Sequence, residues 1–272
     1  MNNILIITGM HRSHTSLIAN WLYKTGLNLG ERLIGATPSN IFGHFEDVDI
    51  VEFHEELLKF NKTTLYAGIE DTLNYNSSHI KKAQYLLNKR NNKNINWGWK
   101  QPRSALFLDL WLKVLPENSY FFLPYRDYTE VVNSLYIREY NKLSAKNPHE
   151  KVSRKQKEFI NAKDEICNSY LSMWIRHNSE ILKLRKKLNN MRLLYISLTK
   201  LLEYNDFIFN TIKNKWYFDN LNFIDIKKIY EPNNISKPAE KFYFNLNLKK
   251  QADEIFQELK NSEKLSLQML KE

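Results

Sequence analysis

The chain begins its ordered pattern with Ile4-Leu5-Ile6-Ile7-Thr8, a continuous apolar and β-branched run. A strand buried on both faces of a parallel sheet has this composition. Gly9 ends the run and residues 10–14 are polar. Leu17, Ile18, Trp21 and Leu22 then recur at helical spacing up to Gly26, with Ser13 or Thr15 as N-cap. Helical periodicity returns over 47–60 and 78–90, and residues 96–100 predict a short strand after which Pro102 opens a further element. The pattern next predicts a helix over 106–115 and a second buried strand over 119–125. Val131, Val132, Leu135 and Tyr136 mark one face of the helix that follows. A long helix is expected over 159–188, a strand over 192–197, a helix over roughly 199–213 and a last amphipathic helix near 248–270.

Strands and helices thus alternate across 272 residues without an internal repeat or a linker of distinct composition. The expectation is one α/β domain over 1–272, with a central, mostly parallel sheet between two layers of helices. Residues 141–158 are polar and basic, and read as a mobile insertion or a solvated helix start. Residues 215–272 read as a C-terminal extension whose packing the sequence pattern does not fix.

Composition narrows the classes. Hydrophobic residues make up 43% and aromatics 13%, too much for a disordered chain. The single cysteine, Cys167, excludes an internal disulfide framework and a Cys-cluster zinc site. No stretch approaches the ~20 apolar residues of a membrane span. The opening apolar run is also too short for a secretory signal, so the expected location is cytoplasmic. Forty Lys and Arg against thirty Asp and Glu leave a charge of +10, which favours an anionic partner: nucleic acid, a lipid surface or a phosphorylated ligand. No RNA-recognition, helix-turn-helix or zinc-finger pattern accompanies that charge, so no specific nucleic-acid partner is expected.

Between the first strand and helix lies Gly9-Met10-His11-Arg12-Ser13-His14-Thr15-Ser16. A loop in this place aims backbone N–H groups and the positive end of a helix dipole at one point, the arrangement of a P-loop. Arg12 adds a fixed cation, and Ser13, Thr15 and Ser16 add hydroxyls. Nucleoside triphosphatases need Gly-Lys-[Ser/Thr] where this chain has His14-Thr15-Ser16, which disfavours a magnesium-dependent kinase or ATPase. A nucleotide or metabolite kinase stays as the alternative enzyme class.

The loop resembles the 5′-phosphosulfate loop of sulfotransferases that use 3′-phosphoadenosine 5′-phosphosulfate, Gly-x-x-[Lys/Arg]-[Ser/Thr]-Gly-Thr-[Ser/Thr]. His14 stands in place of its glycine. A second match lies downstream, where the strand Ser-Tyr-Phe-Phe-Leu-Pro-Tyr ends at Arg126 and Ser134 follows eight residues later. In that family an Arg-x7-Ser pair holds the 3′-phosphate. Residues 40–47, Asn-Ile-Phe-Gly-His-Phe-Glu-Asp, and 97–103, Trp-Gly-Trp-Lys-Gln-Pro-Arg, are similar to segments of bacterial members and of the tyrosylprotein branch, with Gln101 replacing an aspartate.

The resemblance implies a P-loop-like three-layer fold. It also implies sulfuryl transfer from 3′-phosphoadenosine 5′-phosphosulfate, leaving adenosine 3′,5′-bisphosphate, to a hydroxyl of a glycan (an anionic one among the candidates) or of a small metabolite, with no metal. It assigns the cofactor to Arg12, Ser13, His14, Thr15, Ser16, Arg126 and Ser134. Catalysis falls to Arg12 and Lys100 as cations and to Glu46 as general base, with Asp47, His44 and His54 as rivals. His14 and Gln101 keep open a homologue that binds nucleotide without turnover. Plainer readings stand beside these: Glu46 as a helix N-terminal carboxylate, His11 and His14 as loop surface, Lys100 and Arg103 as a solvated edge. Trp97, Trp99, Trp111 and Trp174 read as core, and the basic runs 151–157 and 182–187 as solvated helix faces. Lys237 and Lys241 are candidates to close over the nucleotide.

Overall fold

All four residues of the first strand, β1 (Ile4–Ile7), are buried, because two apolar layers claim them alternately. Ile4 and Ile6 point into one cluster and Leu5 and Ile7 into the other, as the two-residue strand period requires. The computed structural model describes residues 2–37, 43–92, 95–145, 154–231 and 242–271. It contains three further strands, β2 (Trp97–Lys100), β3 (Ser119–Pro124) and β4 (Leu193–Ile196). They form one sheet of order β2-β1-β3-β4 in which every pair is parallel.

One face of the sheet carries α1 (Thr15–Lys24) and the segment from Leu198 to Ile226. The other carries α2 (Val48–Phe60), α3 (Ser77–Asn91), α4 (Leu108–Leu112), α5 (Tyr128–Ala145), α6 (Arg154–Asn161) and α7 (Lys163–Leu182). This is the three-layer α/β fold expected. Trp97, Trp99, Trp111 and Trp174 are all core residues.

Several elements are shorter than the periodicity predicts. The helix expected over 159–188 is three pieces, α6, α7 and α8 (Leu184–Lys187), with a break at Ala162 that lets Phe159 stack on Tyr136 of α5 at 4.8 Å. Residues 106–115 are a 3₁₀ turn from Pro102, capped by the Gln101 side chain, that runs into the short α4. The helix expected over 199–213 is divided into α9 (Leu198–Glu203), α10 (Asn205–Asn210) and a π turn. The final helix, α11 (Leu246–Met269), packs on α7 and β4. Its Glu263 accepts a hydrogen bond from Tyr125 Oη at 2.9 Å and another from the Ser197 amide at 2.5 Å.

The basic run 182–187 is bound locally: Lys183 to Glu180, Lys187 to Asp109, Arg185 to Ser262. Of the segment 141–158, α5 and α6 account for both ends, and residues 146–153 lie outside the described residues, as do the first three of the run 151–157. No helix among the described residues is long and apolar enough to cross a membrane.

The strand order places a switch point between β1 and β3. The chain leaves β1 toward β2 on one side and leaves β3 toward β4 on the other, so a crevice opens at their carboxyl ends. Ligands of open parallel sheets bind at such a point. The loop after β1 and the arginine after β3 both lie there.

Candidate active site

The loop after β1 is held tightly. Thr8 donates its amide to Phe122 of β3 and its hydroxyl to the Gln101 carbonyl. Gly9 is required by contact, since a Cβ there would sit 2.4 Å from the Pro124 carbonyl oxygen. The N-cap of α1 is His14 rather than Ser13 or Thr15, and its side chain makes no capping bond. His14 has φ of 64° and Arg12 of 69°, both left-handed, so the position where the resembled loop has glycine does use positive φ. A non-glycine residue costs about 1–2 kcal/mol there. That strain is retained beside a cluster of buried, unpartnered polar atoms: Ser13 Oγ, both ring nitrogens of His14, His11 Nε2 and Arg126 Nη2. Buried polar groups are normally paired, so such a group of atoms makes this a candidate place for a polar ligand or for water.

Arg12 joins the two sequence motifs. Its Nε donates to Ser134 Oγ at 2.9 Å, and its carbonyl accepts from Arg126 Nη1 at 3.3 Å. Arg126 also pairs with Glu130 one turn into α5, Nε to Oε2 at 2.6 Å. Burial, Arg138 and Arg126 pull the Arg12 guanidinium down to about 10, so it remains a cation at neutral pH. Among the described residues no carboxylate pairs with Arg12. Arg138 was not singled out in the sequence, although its place four residues after Ser134 puts it on the same helix face.

Lys100 ends β2 directly opposite Ile7 of β1. It is 2% exposed, which overturns its reading as a solvated edge. Its Nζ donates to Glu46 Oε1 at 2.6 Å and to the His44 carbonyl at 3.0 Å. Gln101 Nε2 donates to Glu46 Oε2 at 3.2 Å, and Arg103 Nη1 lies 3.8 Å from that oxygen. Burial by itself raises the Glu46 carboxyl, but Lys100, then Arg103, outweigh it and hold the group below the usual carboxylate range. Glu46 is therefore an ionised carboxylate with remaining lone pairs. Arg103 also pairs with Glu55 at 2.8 Å.

The rival bases are differently placed. Asp47 caps α2 through the Asp49 amide and is paired with buried Arg90. His54 sits in the core, bonded by Trp111 Nε1 and the Ile50 carbonyl. His44 Nε2 is 2.9 Å from Thr37 Oγ1. Asn40, Ile41, Phe42, Lys237 and Lys241 lie outside the described residues. Thr15 is buried and Ser16 half-buried in the first turn of α1.

The surface-loop reading of His11 and His14 fails, because their ring nitrogens are buried. The His11 ring meets His177 edge-on at 5.9 Å, and burial, His177 and Arg103 hold its pKa well below 6.5. Burial, Arg126 and Arg12 push His14 down to about 3, and burial pushes His54 and His177 down to about 4. These imidazoles are neutral when folded and take up protons near pH 6.5 when unfolded. The unfolded chain thus binds more protons between about pH 6.5 and 4, and stability is lost as pH is lowered through that window, by up to about 1.4 kcal/mol per pH unit per ring. Urea midpoints measured from pH 8 to 4 are expected to be level above pH 7 and to drop steeply below 6, with a shallower slope in His177→Gln. An unchanged slope in that variant would count against a neutral buried His177.

Among the described residues no group of three His, Cys, Asp or Glu side chains is placed to hold a metal ion. No protein-family model and no curated protein sequence matches the chain. Solved structures do. The chain is similar to the sulfotransferase domain from the curacin biosynthetic pathway, with a TM-score of 0.51 and 12% identity over 94% of this chain and 97% of that one. It is also similar to the sulfotransferase domain of the Synechococcus PCC 7002 olefin synthase (TM-score 0.47, 14% identity, 94% of each chain). A third is sulfotransferase STF9 from Mycobacterium avium (TM-score 0.48, 13% identity, 94% of this chain and 76% of that one). The architecture is that of the first of these, a sulfotransferase-type α/β fold with a parallel sheet and a phosphate-loop-like turn after its first strand.

Proposed function

We propose that the protein is a sulfotransferase that binds 3′-phosphoadenosine 5′-phosphosulfate and sulfates a hydroxyl. The observation that carries this reading is the meeting of Arg12, Ser134 and Arg126 in one hydrogen-bonded group. Among the described residues no carboxylate pairs with Arg12, and Ser13, His14 and Arg126 of the same group hold buried polar atoms without partners. A cluster of cations and unpaired buried donors suits a ligand with more than one anionic group. The donor set fits the nucleotide: the amides at the start of α1 with Ser13, His14, Thr15 and Ser16 would hold the 5′-phosphosulfate, and Arg126 with Ser134 the 3′-phosphate.

When bound, that nucleotide supplies the sulfuryl group, its sulfur–oxygen bond to the 5′-phosphate breaking as the acceptor oxygen bonds to sulfur. Arg12 stabilises the charge left on the departing phosphate; as a guanidinium it donates no proton at neutral pH. Lys100, ion-paired with Glu46 at 2.6 Å, adds a second cationic group beside that carboxylate. Glu46, an ionised carboxylate beside Lys100, takes the proton from the acceptor hydroxyl, the role that the sequence resemblance implies for it. Positioning and charge do most of the work, as in phosphoryl transfer.

Thermal unfolding tests the reading. Adenosine 3′,5′-bisphosphate at a hundred times its Kd is expected to add about 2.7 kcal/mol, or roughly 5–10 °C in melting temperature, without magnesium. A rise with magnesium and ATP and none with the bisphosphate would instead identify a kinase.

A further inference from the structure

His14 stands where the resembled loop has glycine, so its side chain is an addition to that loop and no part of the likeness. Backbone geometry gives no reason for it, since glycine would take φ of 64° without strain. What the ring adds is two nitrogens, both buried and both without a hydrogen-bond partner among the described residues. Beside them Ser13 Oγ and Arg126 Nη2 are also buried and unpartnered, on residues 0% and 8% exposed. Side chains from two separate segments thus hold unused hydrogen-bonding capacity at the start of α1, whose amides and dipole favour an anion.

The charges that face the ring are cationic. Arg126 comes from the turn after β3, and its Nη1 reaches the carbonyl of Arg12 on the loop itself at 3.3 Å. Of the neighbouring carboxylates, Glu130 is taken up by Arg126 at 2.6 Å and Asp127 accepts from the Thr129 amide at 2.8 Å. Arg138 of α5 acts on Arg12, and no acidic residue opens α1. Burial and the two guanidiniums therefore hold the ring neutral. A neutral imidazole has one donor and one acceptor, whereas a phosphate dianion only accepts. Only the imidazolium can turn both nitrogens to it as donors, and the same dianion offsets the two charges that keep the proton away.

We propose that His14 is a proton-linked phosphate ligand: a phosphate group bound between Arg12 and Arg126 draws a proton from solvent onto the His14 ring, which then donates to its oxygens. No other bond is made or broken. The inference rests on the sulfotransferase reading for the identity of the anion, and its test separates the two. The complex holds a proton that the protein alone lacks. Affinity therefore rises as pH falls below the ordinary imidazole value of about 6.5, by up to about tenfold per pH unit.

Adenosine 3′,5′-bisphosphate and inorganic pyrophosphate are each titrated calorimetrically into the full chain at about pH 6 and pH 8. Two buffers of different ionisation enthalpy count the protons taken up. His14→Asn keeps a polar side chain that accepts the left-handed region but does not titrate. Ionisation of the ligand itself is common to wild type and variant and cancels in their difference. At about pH 6 wild type is expected to take up about half a proton or more beyond His14→Asn, and at about pH 8 no more than the variant. Its affinity relative to the variant is expected to rise about twofold or more between the two pH values. His14→Gly is expected to match His14→Asn, and by removing strain it reports even if asparagine disturbs the loop.

Proton uptake as large in either variant as in wild type would overturn the proposal while nucleotide binding stood. Uptake with pyrophosphate that both variants lose, with no binding of the bisphosphate, would keep His14 as a phosphate ligand and remove the sulfotransferase reading. A chain that binds neither anion would remove both.

Discussion

Replacing Arg12 by alanine is expected to lower sulfate transfer by about a thousandfold or more, the scale on which a single arginine acts at a transferring group. The loss has two sources. On the proposed reading the guanidinium would supply the charge that a departing phosphate needs, and its Nε on Ser134 ties the loop after β1 to α5. Arg12→Lys keeps the charge but not the planar fork, so it is expected to fall between wild type and Arg12→Ala. The fold is expected to survive, because among the described residues no carboxylate pairs with Arg12 that its removal would leave orphaned. Steady-state transfer and bisphosphate affinity, measured on the same preparations, decide the matter. Unchanged turnover in Arg12→Ala would remove the mechanism.

Glu46 separates stability from chemistry. Glu46→Ala leaves the Lys100 ammonium buried without its partner, a loss worth about 3–5 kcal/mol, which urea unfolding would register directly. Glu46→Gln keeps an oxygen for Lys100 and a similar shape, so its stability loss is expected to be smaller, while transfer falls by about 10²–10⁴-fold through loss of the base. Exchanging both partners for neutral residues, Glu46→Gln with Lys100→Met, is expected to recover stability but not activity. Because Lys100 keeps Glu46 ionised, the rate is not expected to show an acid limb near pH 7 from this group. A fully active Glu46→Gln would reduce the carboxylate to a structural partner of Lys100.

The cation cluster also explains why His14 is tolerated where the resembled loop has glycine. Its ring is neutral, so it adds no charge beside Arg12 and Arg126, and histidine is among the residues that accept the left-handed region. The cost is local strain and two buried ring nitrogens without partners. Gln101 offers a similar account of itself. Its amide donates to Glu46 while its oxygen caps the Arg103 amide, two bonds of opposite polarity that an aspartate could not make together.

The amino-acid pattern was sufficient for the sheet and for the cofactor-site candidates. Three of the four strands were legible as apolar runs bounded by turn chemistry, and the fourth, Trp-Gly-Trp-Lys, as a short segment between an Asn-rich loop and Pro102. Arg12, Arg126 and Ser134 became candidates because the motifs that resemble those of a known family are short and local; that the three meet in one hydrogen-bonded group is a fact of the fold. Helix boundaries were not, since whether 159–188 runs unbroken depends on Phe159 finding Tyr136, a contact made across the fold. Lys100 looked like an edge residue because its burial comes from β1 and from Glu46, 54 residues away. Arg138 and His177 gave little or no signal, because they acquire meaning only when α5, α7 and the first loop converge. Periodicity records which face of an element is apolar, whereas the charge around a side chain is a sum over neighbours that only the folded chain brings together.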